Sequence, residues 1–180
     1  MKTASDVLAF WFDEHGRADW FGAKPEFDSQ IATKFAETHA ALAKGEGWRW
    51  RSTPAGRLAE IIVLDQFSRQ LFRGDARAFA SDGIALILAQ EAVAGGHHQF
   101  LAPEGRMFAL MPFMHAESAA VQDESMRLYK ALGGDDLLKF AQGHADCIAR
   151  FGRFPKRNAA LGRTSTTEEE KYMAETPGMF

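Results

Sequence analysis

Apolar residues recur at intervals of three and four along most of the chain, the spacing of a helix face. Ser5 and Asp6 stand before a short apolar run ending near Phe12, and they predict a helix start there. Pro25, with Glu26 and Asp28 behind it, opens a longer helix. Ile31, Phe35, Thr38 and Leu42 line one side of it, and Gly45 and Gly47 end it. Thr53-Pro54 is a capping hydroxyl followed by a first-turn proline. From Pro54 to Arg73, Leu58, Ile61, Ile62, Leu64, Phe67, Leu71 and Phe72 cover more than one face. A helix apolar on most sides sits inside a bundle. Further helices are predicted from Ala76 or Ser81 to Ala94, after Pro103 to a break near Pro112, from His115 to Leu132, from Asp135 to Gly152, and from Thr166 or Thr167 onward.

No stretch alternates with the period of two that marks a strand. The chain carries 30 alanines against 4 valines and 6 isoleucines, which favours helix over sheet. Connections are short, as between antiparallel neighbours. The expected architecture is one compact all-α domain over residues 1–180, of about seven to nine helices.

Charge and cysteine usage narrow the function classes. Lys and Arg total 21 against 24 Asp and Glu, a formal charge of -3, which argues against a general polyanion binder. Cys147 is the lone cysteine, so neither an internal disulfide framework nor a Cys-rich zinc site is expected. The apolar run Val7–Phe12 is too short for a signal-peptide core or a membrane span. A cytoplasmic protein with no membrane partner is the expectation.

Three constellations are candidates for chemistry. The first is Leu64-Asp65-Gln66-Phe67-Ser68-Arg69. Asp65 and Arg69 lie four apart, share a face with Leu58 and Ile62, and are placed to pair along the helix. That pair reads either as a structural register lock or as a carboxylate and guanidinium lining an interior pocket. The second is His115-Ala116-Glu117, and His115, Ala119, Gln122 and Met126 form one stripe if a helix starts near His115. If Pro112 puts His115 at a helix start, the positive helix end disfavours its cation, and the ring suits a neutral base. His115 and Glu117 diverge on a helix, and His97-His98 sits in a glycine-flanked turn. No metal site is expected.

The third constellation is the C-terminal basic segment. Residues 150–163 hold Arg150, Arg153, Lys156, Arg157 and Arg163 and no acid. Pro155 forces Phe154 out of helix, so the backbone is tightly shaped where the arginines are presented. Arginine forks match carboxylates and phosphates, and they match the internal acids of this chain equally well. Stacking on single-stranded nucleic acid is disfavoured by the acidic remainder of the chain. His144 shares an inward face with Cys147, Ile148 and Phe151. Cys147 is expected to be buried and inert. Trp11, Trp20, Trp48 and Trp50 read as core and rim packing or as pocket walls.

At these residues the chain resembles the bacterial family known as domain of unknown function 924. The resemblance runs nearly end to end. It is carried by Val7–Phe12, Trp20-Phe21, Gly56-Arg57-Leu58-Ala59, Leu64-Asp65-Gln66-Phe67, Arg69, Arg73-Gly74 and Ala78–Asp82. It continues through His115-Ala116-Glu117, Gln122, Phe151–Pro155, Arg157-Asn158 and Leu161-Gly162-Arg163. The chain departs from the family pattern at Ser68, Gln70 and Lys156, where proline, asparagine and histidine are usual. The resemblance implies a tetratricopeptide-like helical superhelix and no established activity. Asp65, Arg69, His115, Glu117, His144, Arg153, Arg157, Asn158 and Arg163 match the family pattern as site candidates.

Two functions follow as expectations. In the first, the protein binds a small anionic molecule between helices. Arg69, Arg153, Arg157, Asn158 and Arg163 hold it. His115 or His144 moves a proton in a transfer or hydrolytic step, oriented by Asp65 or Glu117. In the second, a helix-pair superhelix captures an acidic peptide without catalysis. The first is preferred, because inward His, Glu and Asp on apolar helices are costly to bury without a purpose. No cofactor motif is present, and oligomeric state is not legible from apolar helix faces alone.

Overall fold

In the computed structural model, residues 1–176 are described, and all regular structure among them is helical. Residues 177–180, the end of the expected domain, lie outside the described residues. The chain forms two compact units. One holds Met1–Arg73 and Arg77–Pro112; the other holds Gly74–Ala76 and residue 113 onward. No helix among the described residues is long and apolar enough to cross a membrane.

The first unit begins with α1, Ala4–Leu8, which runs on into a π-helical turn, Ala9–Glu14. Its cap is Thr3 rather than Ser5. The Thr3 hydroxyl accepts from the Asp6 N–H while Asp6 accepts from the Thr3 N–H, a capping box. Then come α2, Arg17–Trp20, and α3, Pro25–Leu42, whose buried side is Phe27, Ile31, Phe35, Thr38, His39 and Leu42. The rod α4 opens at Pro54 with Thr53 accepting from the Gly56 N–H. It runs α-helically to Ile61, passes a π-turn Ile62–Phe67, and closes with Ser68–Leu71. Gly56 is required there, because a Cβ would lie 2.0 Å from the Trp50 carbonyl oxygen. Next are α5, Asp82–Ala94, and α6, Pro103–Met114.

The core of this unit is aromatic. Trp11 and Trp20 stack at 5.6 Å, and the Trp20 indole N–H donates to the Trp11 carbonyl. Phe67 meets Phe10, Trp11 and Phe35 at 5.1–6.1 Å. Such tilted and edge contacts add to the apolar burial itself. Trp48 departs from the packing reading of the tryptophans. It is 61% exposed, with Arg49 over its ring.

The second unit pairs α7, Ala119–Leu132, with α8, Asp135–Phe151. Gly152, at φ +68°, ends α8 in the left-handed conformation that glycine adopts without strain. A short 3-10 turn, Pro155–Arg157, and then α9, Thr167–Glu175, complete it. Thr166 and Glu169 form a second capping box. Cys147, Ile148 and Phe154 are buried together, with Phe151 and Tyr172 packed against them.

Two boundaries differ from the sequence reading. Pro112 does not end its helix, which continues to Met114. The following helix starts at Ala119 and not at His115. His115 therefore stands just beyond the negative, C-terminal end of α6, the reverse of the expected positive end. His115, Ala119, Gln122 and Met126 do not form one helical stripe.

Candidate functional site

In the first unit, Asp65 is wholly buried at the centre of the π-turn. Arg69 Nη1 lies 3.2 Å from its carboxylate and also donates to its backbone carbonyl. The same guanidinium grips Asp82 on α5 through two bonds of 3.0 and 3.2 Å. Asp82 was not anticipated from the helix spacing, because it is a tertiary partner. Gln66 Nε2 donates to the other Asp65 oxygen at 2.6 Å. Burial would lower the Arg69 pKa, yet Asp65 and Asp82 together raise it. The widened turn is also stitched by Ser68, whose hydroxyl donates to the Leu64 carbonyl at 2.6 Å. His39 on α3 lies 2.7 Å from that hydroxyl. Since the serine proton goes to Leu64, the imidazole is the donor to serine. The pair is a buried hydrogen bond and not an activated nucleophile.

The second unit brings together His115, Glu117, His144, Arg153, Arg157, Asn158 and Arg163. Glu117 is the hub of one half. Its carboxylate accepts from the Phe154 N–H at 2.7 Å and from both terminal nitrogens of Arg163 at 2.8 and 2.9 Å. Burial pushes its pKa up, but the Arg163 and Phe154 bonds outweigh that and hold it below the usual range. Arg163 also donates to the Phe154 carbonyl. Thus Phe154, which Pro155 holds in an extended conformation, is pinned at both its N–H and its carbonyl.

Glu169 is the hub of the other half. Arg153 meets it with two bonds of 2.6 and 2.9 Å. Asn158 and the Thr166 N–H add further bonds. Arg153 first among these partners lowers the Glu169 pKa to about 2. The basic segment is therefore met from within the unit. Arg150 pairs with Glu168, and Lys156 donates to the Thr176 carbonyl. Arg153 and Arg163 already hold carboxylates of this chain, so an incoming anion would have to share or displace them. Glu169 was not among the residues the sequence singled out. Its bond to Arg153, sixteen residues away, has no local signature.

The two histidines join this network through Phe154 and Arg157. The His115 and His144 rings are 5.9 Å apart, centroid to centroid, tilted by 47°. His144 is 8% exposed, and its Nδ1 lies 2.8 Å from the Phe140 carbonyl one turn back on α8. A carbonyl can only accept, so Nδ1 carries the proton, and Nε2 is the basic nitrogen of the neutral ring. The Phe154 ring stands edge-on to His144 at 5.5 Å and carries the Arg157 guanidinium on its face at 4.6 Å. Arg157 Nη2 donates to the His115 carbonyl. Gln122 Nε2 donates to the carbonyls on either side, Met114 and Ala116, at 2.8 Å each. Side chains thus hold three consecutive carbonyls, which fixes the His115 backbone although no helix does.

Cys147 is buried beside Tyr172. Burial raises its pKa, which removes thiolate character.

No curated protein matches the chain. A solved structure from Agrobacterium tumefaciens, the protein of unknown function ATU0120, is 39% identical. The match covers 96% of this chain and 97% of that one, with a TM-score of 0.91. The family model described as bacterial protein of unknown function (DUF924) matches residues 7–177. The length of that match, over a chain whose Glu117, Phe154, Arg157 and Arg163 motifs form one bonded network, places the protein in the DUF924 family of bacterial proteins.

Proposed function

We propose that the second unit binds a small anionic molecule beside His115, His144 and Arg157, with His144 Nε2 as the group that exchanges a proton with it. The observation that carries this reading is the pair of imidazoles 5.9 Å apart, set beside an arginine that is anchored to the His115 carbonyl. Two rings at that separation can both reach one carboxylate or phosphate. The Nδ1 bond to Phe140 keeps the His144 tautomer in register for proton transfer.

In this reading Arg157 supplies positive charge. Arg153, Arg163 and Asn158 are posts that shape the loop through Glu169 and Glu117. Glu117 orients Phe154, on which both His144 and Arg157 rest. Asp65 and Arg69 hold the π-turn of the first unit in register. The peptide-capture alternative is less well supported, because the forks of Arg153 and Arg163 that would grasp an acidic tail are occupied internally. The lone buried thiol agrees with a cytoplasmic setting.

The test is a thermal-shift series with inorganic phosphate and short-chain carboxylates, in low and high salt. A ligand of the folded state raises the melting temperature by mass action. The shift is expected in wild type, reduced by salt, and lost in Arg157→Ala and His144→Ala. Equal shifts in wild type and both variants would refute the assignment.

A further inference from the structure

Gln122 and Ser125 lie three residues apart on α7, so they are neighbours on one face. Gln122 is 2% exposed and Ser125 is wholly buried. The Gln122 amide nitrogen faces the Phe113, Met114 and Ala116 carbonyls at 3.5, 2.8 and 2.8 Å. Three acceptors on one side fix the amide orientation, since a flipped amide would set oxygen against oxygen. Gln122 Oε1 is therefore a true acceptor, and among the described residues no donor reaches it. Ser125 Oγ has no partner either. A serine inside a helix ordinarily bonds back to the carbonyl four residues earlier, and this one does not. Buried polar atoms without partners are rare. Two on one face of one helix are complementary to a guest that both donates and accepts.

We infer that Gln122 and Ser125 form a hydroxyl-binding site. The guest hydroxyl donates to Gln122 Oε1 and exchanges a second hydrogen bond with Ser125 Oγ. An apolar group would leave both atoms unmet, and a bare carboxylate has no proton for Gln122. The Gln122 amide is tied to the carbonyls flanking His115, so this site adjoins the His115 backbone. Resting on the anion reading above, the inference names the ligand class: a small hydroxy acid, whose carboxylate meets the histidine and Arg157 side and whose hydroxyl meets Gln122 and Ser125. Water offers the same hydroxyl chemistry when no ligand is bound.

Glycolate and acetate, which differ by one hydroxyl, separate the possibilities in thermal-shift titrations. Glycolate is expected to bind about two- to tenfold more tightly than acetate, the range for one hydrogen bond, and Ser125→Ala is expected to bring the two together. Equal binding by wild type overturns the hydroxy-acid assignment and leaves the anion reading standing. No shift with either anion overturns both. Crystals grown without either acid decide the resting guest. A solvent peak within hydrogen-bond distance of Gln122 Oε1 and Ser125 Oγ supports the site. Ser125 Oγ turned to a backbone carbonyl, with no such peak, overturns it.

Discussion

Arg153 and Glu169 are joined by two parallel hydrogen bonds of 2.6 and 2.9 Å, and the carboxylate is 1% exposed. The pair ties the loop after α8 to the first turn of α9. Removing one partner strands the other, which is far more costly than losing both. Glu169→Ala is expected to destabilise the protein by about 3 kcal/mol, the lower end of the range for a broken buried pair, because Arg153 retains some access to water. Urea denaturation measures it. A loss below about 1 kcal/mol, the value of an exposed pair, would contradict the account.

The same pair governs acid stability. Glu169 titrates near 2 in the folded protein against 4.5 for an ordinary glutamate. A lowered carboxyl pKa adds stability above the unfolded value, and that stability is lost as pH falls toward the folded value. Asp19, held near 2 first by Lys24 and then by His15, acts in the same direction. The share of the melting temperature that these carboxylates supply should hold steady down to about pH 5 and fall from there toward pH 2. Glu169→Gln should start lower and fall less over that window.

His39 sets a separate dependence at higher pH. Burial depresses its pKa below 6.5, so the folded protein prefers the neutral ring. The unfolded chain takes up its proton first as pH drops. The stability contribution is therefore present above 6.5 and is lost as pH falls from there toward the folded value. His39→Gln can still donate to Ser68 but cannot titrate. It should remove the slope just below pH 6.5, as read by melting temperature at fixed salt. An unchanged slope would locate the effect elsewhere.

Cys147 is 1% exposed, and its thiol pKa is raised by burial. Alkylation by iodoacetamide at pH 8 should be slow in the native protein and fast in urea, with the native rate following unfolding. Rapid native labelling would show that the Tyr172 side of the unit opens easily.

The helices were legible in the sequence because their signals are local. Thr53-Pro54, Gly152 and Thr166 each fix a terminus within a few residues, and the structure has termini at those places. Pro112 stands two residues inside the helix end, because a proline removes a single hydrogen bond and a helix about to end tolerates it. The π-turn around Asp65 left no trace in the apolar pattern, since one extra residue per turn hardly disturbs a helix apolar on most sides. The candidate site was half visible. The His115-Ala116-Glu117 and Arg153–Arg163 motifs named residues that the structure brings together. The arginines' carboxylate partners come from sixteen and forty-six residues away, and no spacing rule encodes such contacts.

The central claim is that His115 and His144 face one anion. Nitrogen-15 spectra of the imidazole rings, recorded while acetate or inorganic phosphate is added at fixed pH and ionic strength, test it most directly. The chain has six histidines, which supplies four internal controls. The account predicts saturable shifts at His115 and His144 with one common dissociation constant, little change at the other four, and loss of both shifts in Arg157→Ala. Rings that do not move, or that move alike at all six positions, would contradict it.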